Sequence, residues 1–292
     1  MRLHVVHNGP AFEGSPLEDG RHPILMLHGF PEFWIAWENV MKELRDEYFI
    51  IVPDQRGYNK SDAPQGVENY KAKLLVGDMI ALTSSLLGER SFSLAGHDWG
   101  ASIAYALAIN FPEKVDHLII ANGVHPACFQ QALIDHPEQA KASAYFHILR
   151  SENAGKIMAE DGFRRTFSMF EKFSVTPWLT ENMKERYRIA WNDEQRLQAM
   201  LHWYNSSPIV VPKEGENISQ AALYNVPTNT FRISMPHTLI WGKGDQALLP
   251  ECHHKLSSYC DNLEKIEVEE TDHWILHTHG KKIARHIHQT IK

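Results

Sequence analysis

Five residues, Gly96-His97-Asp98-Trp99-Gly100, constrain this chain more than any other stretch. The apolar run at 91–95 before them reads as a buried strand. The small residues at 101–108 after them read as a helix packed closely on a sheet. A strand that becomes a helix with no loop between must bend sharply. Glycines two positions before and after the centre remove the Cβ atoms that would collide there. Asp98 at the apex is then held in a strained backbone conformation, its carboxylate pushed out above the strand end. The pattern is Gly-x-nucleophile-x-Gly, with aspartate where serine usually stands.

The rest of the chain fits a sheet domain around that bend. Strand patterns fall at 2–7, 24–27, 48–52, 118–121, 237–241 and 263–268, and helical spacing at 34–44, 74–87, 250–260 and 281–291. Strands alternating with helices imply a parallel, doubly wound α/β sheet with its functional loops at the strand C-termini. The alternation stops after Gly123. From 124 to 236 only amphipathic helical patterns occur, such as 139–150 and 179–204, rich in Trp, Tyr and Phe. The expected organisation is a core of 1–123 and 237–292 with a helical cap at 124–236.

Composition narrows the function classes. With 43% hydrophobic and 22% charged residues in 292, the chain is an ordinary globular protein large enough for one sizeable core. Its apolar runs are strand-sized, far short of a membrane span. A net charge of −7 without any Lys/Arg-rich run argues against nucleic acid or an acidic membrane as partner. No basic start followed by an apolar stretch and a cleavage site marks a signal peptide. Cys128, Cys252 and Cys260 lack metal-type spacing and leave an odd one unpaired, which fits a reduced, cytoplasmic protein. The paired histidines among the 18 are not spaced as a metal site, and no cofactor is expected.

Chemistry at the bend needs a base and an acid to orient it. In this architecture both follow the nucleophile along the chain. Asp245 lies just after the strand at 237–241, and His273 in the loop after the strand at 263–268. The strand ending at Asn122 offers no carboxylate, which favours Asp245 as the acid. The bland readings are a surface turn for Asp245 and a loop histidine for His273. His28-Gly29-Phe30-Pro31 ends the early strand and can aim the Phe30 backbone N–H at the same point as the Trp99 N–H. Two such donors make an oxyanion hole, worth about 10²–10³-fold in rate per donor. Proline in so tight a turn suggests a cis Phe30–Pro31 bond. His28 and His97 read as loop supports, and Asp54, Arg56 and Ser61 as loop braces.

With these residues in place, the chain resembles the α/β-hydrolase fold, and within it the epoxide hydrolase and haloalkane dehalogenase branch. The resemblance rests on His-Gly-Phe-Pro-Glu-x-Trp at 28–34, Asp-x-Arg-Gly-Tyr at 54–58 with Ser61, Asp62 and Pro64, and Gly-His-Asp-Trp-Gly at 96–100. It covers almost the whole chain. Related proteins usually carry one more strand before the one at 2–7, so the sheet edge is where the chain departs.

The resemblance implies a carboxylate nucleophile that displaces a leaving group from an sp³ carbon, giving an ester on Asp98 that water activated by His273 hydrolyses. It implies two cap tyrosines, Tyr145 in Ala142-Ser143-Ala144-Tyr145-Phe146 and Tyr204 in Met200-Leu201-His202-Trp203-Tyr204-Asn205, as proton donors to an epoxide oxygen. Helical spacing alone reads both as core. For the dehalogenase alternative, Phe30 stands where the halide-binding Asn usually follows His-Gly. Trp99 and Ala101 occupy the region where fluoroacetate-type dehalogenases carry arginines, so an uncharged, apolar epoxide is the expected substrate. A ligand-binding receptor on the same fold is the non-enzymatic alternative. Phe30, Trp34, Trp99, Phe129, Trp178 and Trp203 are the candidate pocket residues. The chain is expected to be a monomer or homodimer.

Overall fold

A computed structural model describes every residue except 214, 217 and 219. Seven strands form one sheet: β1 (Val5–His7), β2 (His22–Leu27), β3 (Tyr48–Pro53), β4 (Phe92–His97), β5 (Val115–Ala121), β6 (His237–Gly242) and β7 (Leu263–Val268), in the order β1-β3-β2-β4-β5-β6-β7. β1 runs antiparallel to β3, and the remaining neighbours pair in parallel. The central strands read as near-continuous apolar runs because both of their faces are covered. Their side chains alternate between two layers. Ile24 and Met26 of β2 pack into one core with α1 (Glu38–Leu44), α10 (Ile275–Thr278) and α11 (Gly280–Ile291). Leu25 and Leu27 face the other core, with α2 (Ala72–Leu87) and α3 (Trp99–Asn110). The helical pattern expected at 34–44 is a 3-10 turn, Trp34–Trp37, leading into α1.

Between β5 and β6 lie α4 (Pro126–Asp135), α5 (Pro137–Ala142), α6 (Tyr145–Leu149), α7 (Ala154–Lys172), α8 (Glu181–Trp191) and α9 (Glu194–Ser206). Three helical expectations need correction here and beyond. The run at 179–204 is two helices, because Asn192 takes a left-handed φ of 58° and Asp193 then caps α9, accepting from the Arg196 N–H at 2.9 Å. The run at 139–150 is split at Ser143, whose hydroxyl accepts from Gln139 at 2.8 Å. The run at 250–260 is two 3-10 turns, Pro250–His253 and Leu256–Tyr259. Gln139 holds the first of these by accepting from Leu249 N–H and Cys252 Sγ, while Cys252, Leu256 and Tyr259 keep the inward spacing that mimics a helix. Among the described residues, no helix is long and apolar enough to cross a membrane.

Candidate active site

Asp98 sits between β4 and α3 with φ 51° and ψ −122°, the strained bend expected from the sequence. A Cβ on Gly100 would stand 2.2 Å from the Leu27 carbonyl oxygen, so only glycine lets α3 begin this close to β2. A Cβ on Gly29 would stand 2.3 Å from that of Asp98. The turn after β2 therefore approaches the carboxylate as closely as atoms permit. There the Phe30 N–H donates to Asp98 Oδ1 at 2.8 Å, just before a cis Phe30–Pro31 bond. Trp99 opens α3, where a backbone N–H has no partner within the helix.

His273 follows β7 and brings Nε2 to 3.5 Å from Asp98 Oδ2. Its Nδ1–H donates to Asp245 Oδ2 at 2.8 Å. Asp245 is fixed from three further directions: Oδ1 accepts the Ala247 and Leu248 N–H groups at 2.8 and 2.9 Å, and Asn122 donates its amide to Oδ2 at 2.7 Å. Asn122 also accepts from the Gly242 N–H at 2.8 Å. In the sequence the strand ending there only lacks a carboxylate; in the fold its terminal amide orients one. Its signal was a polar amide closing a strand on the rim that carries Asp98.

A second buried carboxylate lies behind this row. Glu32 accepts from Tyr187 at 2.8 Å and from His277 Nε2, and its other oxygen faces His97 Nδ1 at 3.5 Å. His97 in turn donates to the His273 carbonyl at 2.8 Å. Glu32 was visible in the His-Gly-Phe-Pro-Glu run, but nothing in the sequence brought Tyr187 of α8 to it.

Electrostatics follow from this arrangement. Burial would lower the His273 pKa, but Asp245 and Asp98 outweigh it and hold the imidazole well above its ordinary value. Burial would raise the Asp98 pKa; the His273 contacts and the Phe30 N–H reverse that and hold it below the usual range. Burial also opposes ionisation of Glu32, and its histidine partners overcome it, keeping this carboxyl far below its ordinary value.

Across from Asp98 the helical segment presents aromatics. Tyr145, the first residue of α6, shares a cavity of about 200 Å³ with Asp98, Trp99, Phe129, Phe146 and Trp203. Tyr204 of α9 is enclosed, edge-on to Phe30, Trp99 and Phe146 at centroid distances of 5.2, 4.9 and 4.8 Å. The two tyrosine rings are 6.4 Å apart. Burial, with the Asp98 charge adding to it, pushes both phenols well above their ordinary pKa. Among the described lining residues, Asp98 carries the sole formal charge.

Three of the six expected pocket residues, Trp178, Trp34 and Phe30, do not line this cavity. Trp178 stacks on His277 at 3.8 Å and packs against Phe170 and Trp274. Trp34 lies against Phe33 under the Arg186 guanidinium, its backbone N–H donated to Asp54. Both serve contacts between the helical segment and the sheet. Phe30 contributes its ring to the Tyr204 contact and does not line the cavity. A larger groove of about 720 Å³ between the 60–65 loop and α9 is polar and contains none of Asp98, Asp245 or His273.

Residues 22–280 match the family model described as the alpha/beta hydrolase fold. The chain is 33% identical over 279 residues to the AB hydrolase superfamily protein YfhM of Bacillus subtilis (strain 168), covering 95% of this chain and 90% of that one. It is 29% identical over 282 residues to epoxide hydrolase 4 of Mus musculus, covering 94% and 72%. Among solved structures it superposes on one of the epoxide hydrolases from hot-environment metagenomes, with a TM-score of 0.87, 30% identity and coverage of 99% and 94%. The Bacillus megaterium epoxide hydrolase solved with an inhibitor gives a TM-score of 0.84 at 27% identity, covering 99% and 96%. The chain belongs to the α/β-hydrolase fold family, on the branch that holds the epoxide hydrolases.

Proposed function

We propose that this chain is an epoxide hydrolase that converts an uncharged, apolar epoxide and water to a vicinal diol, with residues 124–236 as a cap over a core of 1–123 and 237–292. The observation that carries the reading is an aspartate at the bend apex, within reach of a histidine–aspartate pair and sharing a cavity with a tyrosine. Serine there would suit attack on a carbonyl. A carboxylate instead suits displacement at a saturated carbon.

Asp98 Oδ1 is engaged by the Phe30 N–H, which leaves Oδ2 to attack. The Oδ2–carbon bond forms as the ring carbon–oxygen bond breaks, and the oxygen takes a proton from Tyr145 or Tyr204. His273 Nε2 then removes a proton from water, whose oxygen adds to the Asp98 ester carbonyl. The resulting oxyanion lies at Oδ1, against the Phe30 and Trp99 N–H groups. Its collapse breaks the ester. The imidazolium returns its proton to the leaving alkoxide, and the second proton of the water restores the tyrosine. Ester formation also removes the Asp98 charge, one of the two that raise the His273 pKa, so the imidazole more readily loses its proton and is free to accept one from water when the ester must be hydrolysed. The two tyrosines favour epoxide over alkyl halide, since a halide leaves without a proton. Diol formation from a generic aryl epoxide tests the reading; binding without turnover would favour a receptor.

A further inference from the structure

Between α9 and β6, residues 207–236 hold no helix or strand among those described, save a single bridge from Ile233 to Cys260. A stretch this long without regular structure is uncommon in a compact chain and usually serves a site. It is nevertheless fixed at spaced points by other elements. Gln130 of α4, fully buried, donates to the Val210 carbonyl at 2.8 Å and accepts from the Val210 N–H at 2.7 Å, the pair of bonds a neighbouring strand would make. Tyr224 donates to Asp135 at the end of α4 at 2.8 Å, and Tyr259 to the Val226 carbonyl at 3.2 Å. His125, buried at the start of α4, donates Nε2–H to the Phe231 carbonyl at 2.9 Å. The Ile233 N–H and carbonyl pair with the backbones of Tyr259 and Asp261. Backbone groups at these points are satisfied one by one, which holds the described residues there in place without a ladder. At or beside these anchors, Ile209, Leu223 and Phe231 line the cavity that also holds Asp98.

The cavity runs along α3. Asp98 lies at its start and Ser102 and Ala106, four residues apart on one helix face, line the way onward, so the far end is about 12 Å from the nucleophile. Small side chains keep that path open, and Leu223 and Phe231 are on the same walls. An apolar cavity of roughly 150 Å³ holds benzene, and this one is about 200 Å³. Resting on the epoxide hydrolase reading, the geometry points to Leu223 and Phe231 as the residues that select the substituent. The favoured substrate is a terminal epoxide bearing one aromatic ring or an alkyl chain of like bulk, its oxirane at Asp98 and its apolar part against Leu223 and Phe231.

The test compares Leu223→Ala, Phe231→Ala and the milder Phe231→Leu with the unchanged protein. Each is assayed with propylene oxide and phenyl glycidyl ether. Each is also titrated with the unreactive diols propylene glycol and phenoxypropanediol, read by the fluorescence of Trp99 and Trp203. In each alanine variant the ratio of kcat/KM for the aryl over the methyl substrate should fall by about tenfold or more, and phenoxypropanediol should bind correspondingly weaker. Phe231→Leu should move both readings the same way by less, which keeps the test decisive if Phe231→Ala does not fold. Unchanged ratios and unchanged diol binding in the folded variants would overturn the assignment. If the unchanged protein opens neither epoxide yet binds phenoxypropanediol and loses that binding in the variants, the hydrolase reading fails and the selecting wall stands.

Discussion

The sheet rim and the helical segment facing it reach their positions by different physical routes. On the rim, Asp98, Asp245 and His273 follow the ends of β4, β6 and β7, so strand pairing aligns them before any side chain is considered. Close backbone approaches then set the fine geometry, through glycines that no larger residue can replace. In the helical segment no ladder does this. Tyr204 sits on α9, whose start Asp193 caps, and packs against Trp99 and Phe30, while Tyr145 opens the short α6 and packs against Phe173 and Tyr204. A site made this way has one rigid half and one assembled by packing, and changes in the two halves should differ in size.

The largest effect belongs to the rim. Asp98→Ala should lower diol formation by at least about 10⁴-fold in a single-turnover assay, since no other group can form the ester. A variant retaining a few per cent of the rate would break the contrast at its strongest point. Next comes the tyrosine pair. Tyr145→Phe with Tyr204→Phe should slow ring opening about 10²–10⁴-fold, each single change costing less because the partner compensates. Near-normal opening of epoxides by the folded double variant would remove the reason for preferring them over halides.

A smaller, graded effect is set by pH. Ester hydrolysis needs neutral His273, so decay of the alkyl-enzyme should rise by about tenfold per pH unit up to the apparent pKa of the imidazole and then level. With Asp98 esterified, that pKa should lie below the value that NMR titration of His273 gives for the free enzyme. The alkaline fall from tyrosine ionisation should come above the ordinary phenol range, because burial raises both groups. Decay indifferent to pH across the neutral range would point to another base. The smallest effect sharpens the comparison from the other side. Asp193→Ala removes the cap of α9 and should cost about 0.5–2 kcal/mol in denaturant unfolding. Gly100→Ala should cost more, because its Cβ meets the fixed Leu27 carbonyl.

The same contrast governs what the sequence made legible. Seven strand patterns and the Gly96–Gly100 bend are readable because short apolar runs and paired glycines are local signals. Alternation with helices implies a parallel sheet, while the strand order and the antiparallel β1 rest on pairing between distant segments. In the helical segment the apolar spacing of 179–204 ran unbroken through Asn192 and Asp193, so one helix was expected where a left-handed residue and a cap make two. α7 was hidden by the non-helical backbone of Glu160–Phe163 within it. Asn122 and Glu32 escaped because their roles depend on partners 123 and 245 residues away in the chain. Trp34 and Trp178 were drawn into the pocket by their chemistry alone, and only packing separates such residues from Phe129 and Trp203, which line it.

Intact-protein mass spectrometry of His273→Ala, mixed with an epoxide it is shown to bind, asks whether Asp98 forms the ester. Removing the base should stop hydrolysis while alkylation continues. We expect the variant to gain the mass of one substrate, with peptide mapping placing it on Asp98, and the same treatment of Asp98→Ala to give no adduct. An unmodified mass at every time point, from a variant with substrate bound, would contradict the two-step route through Asp98.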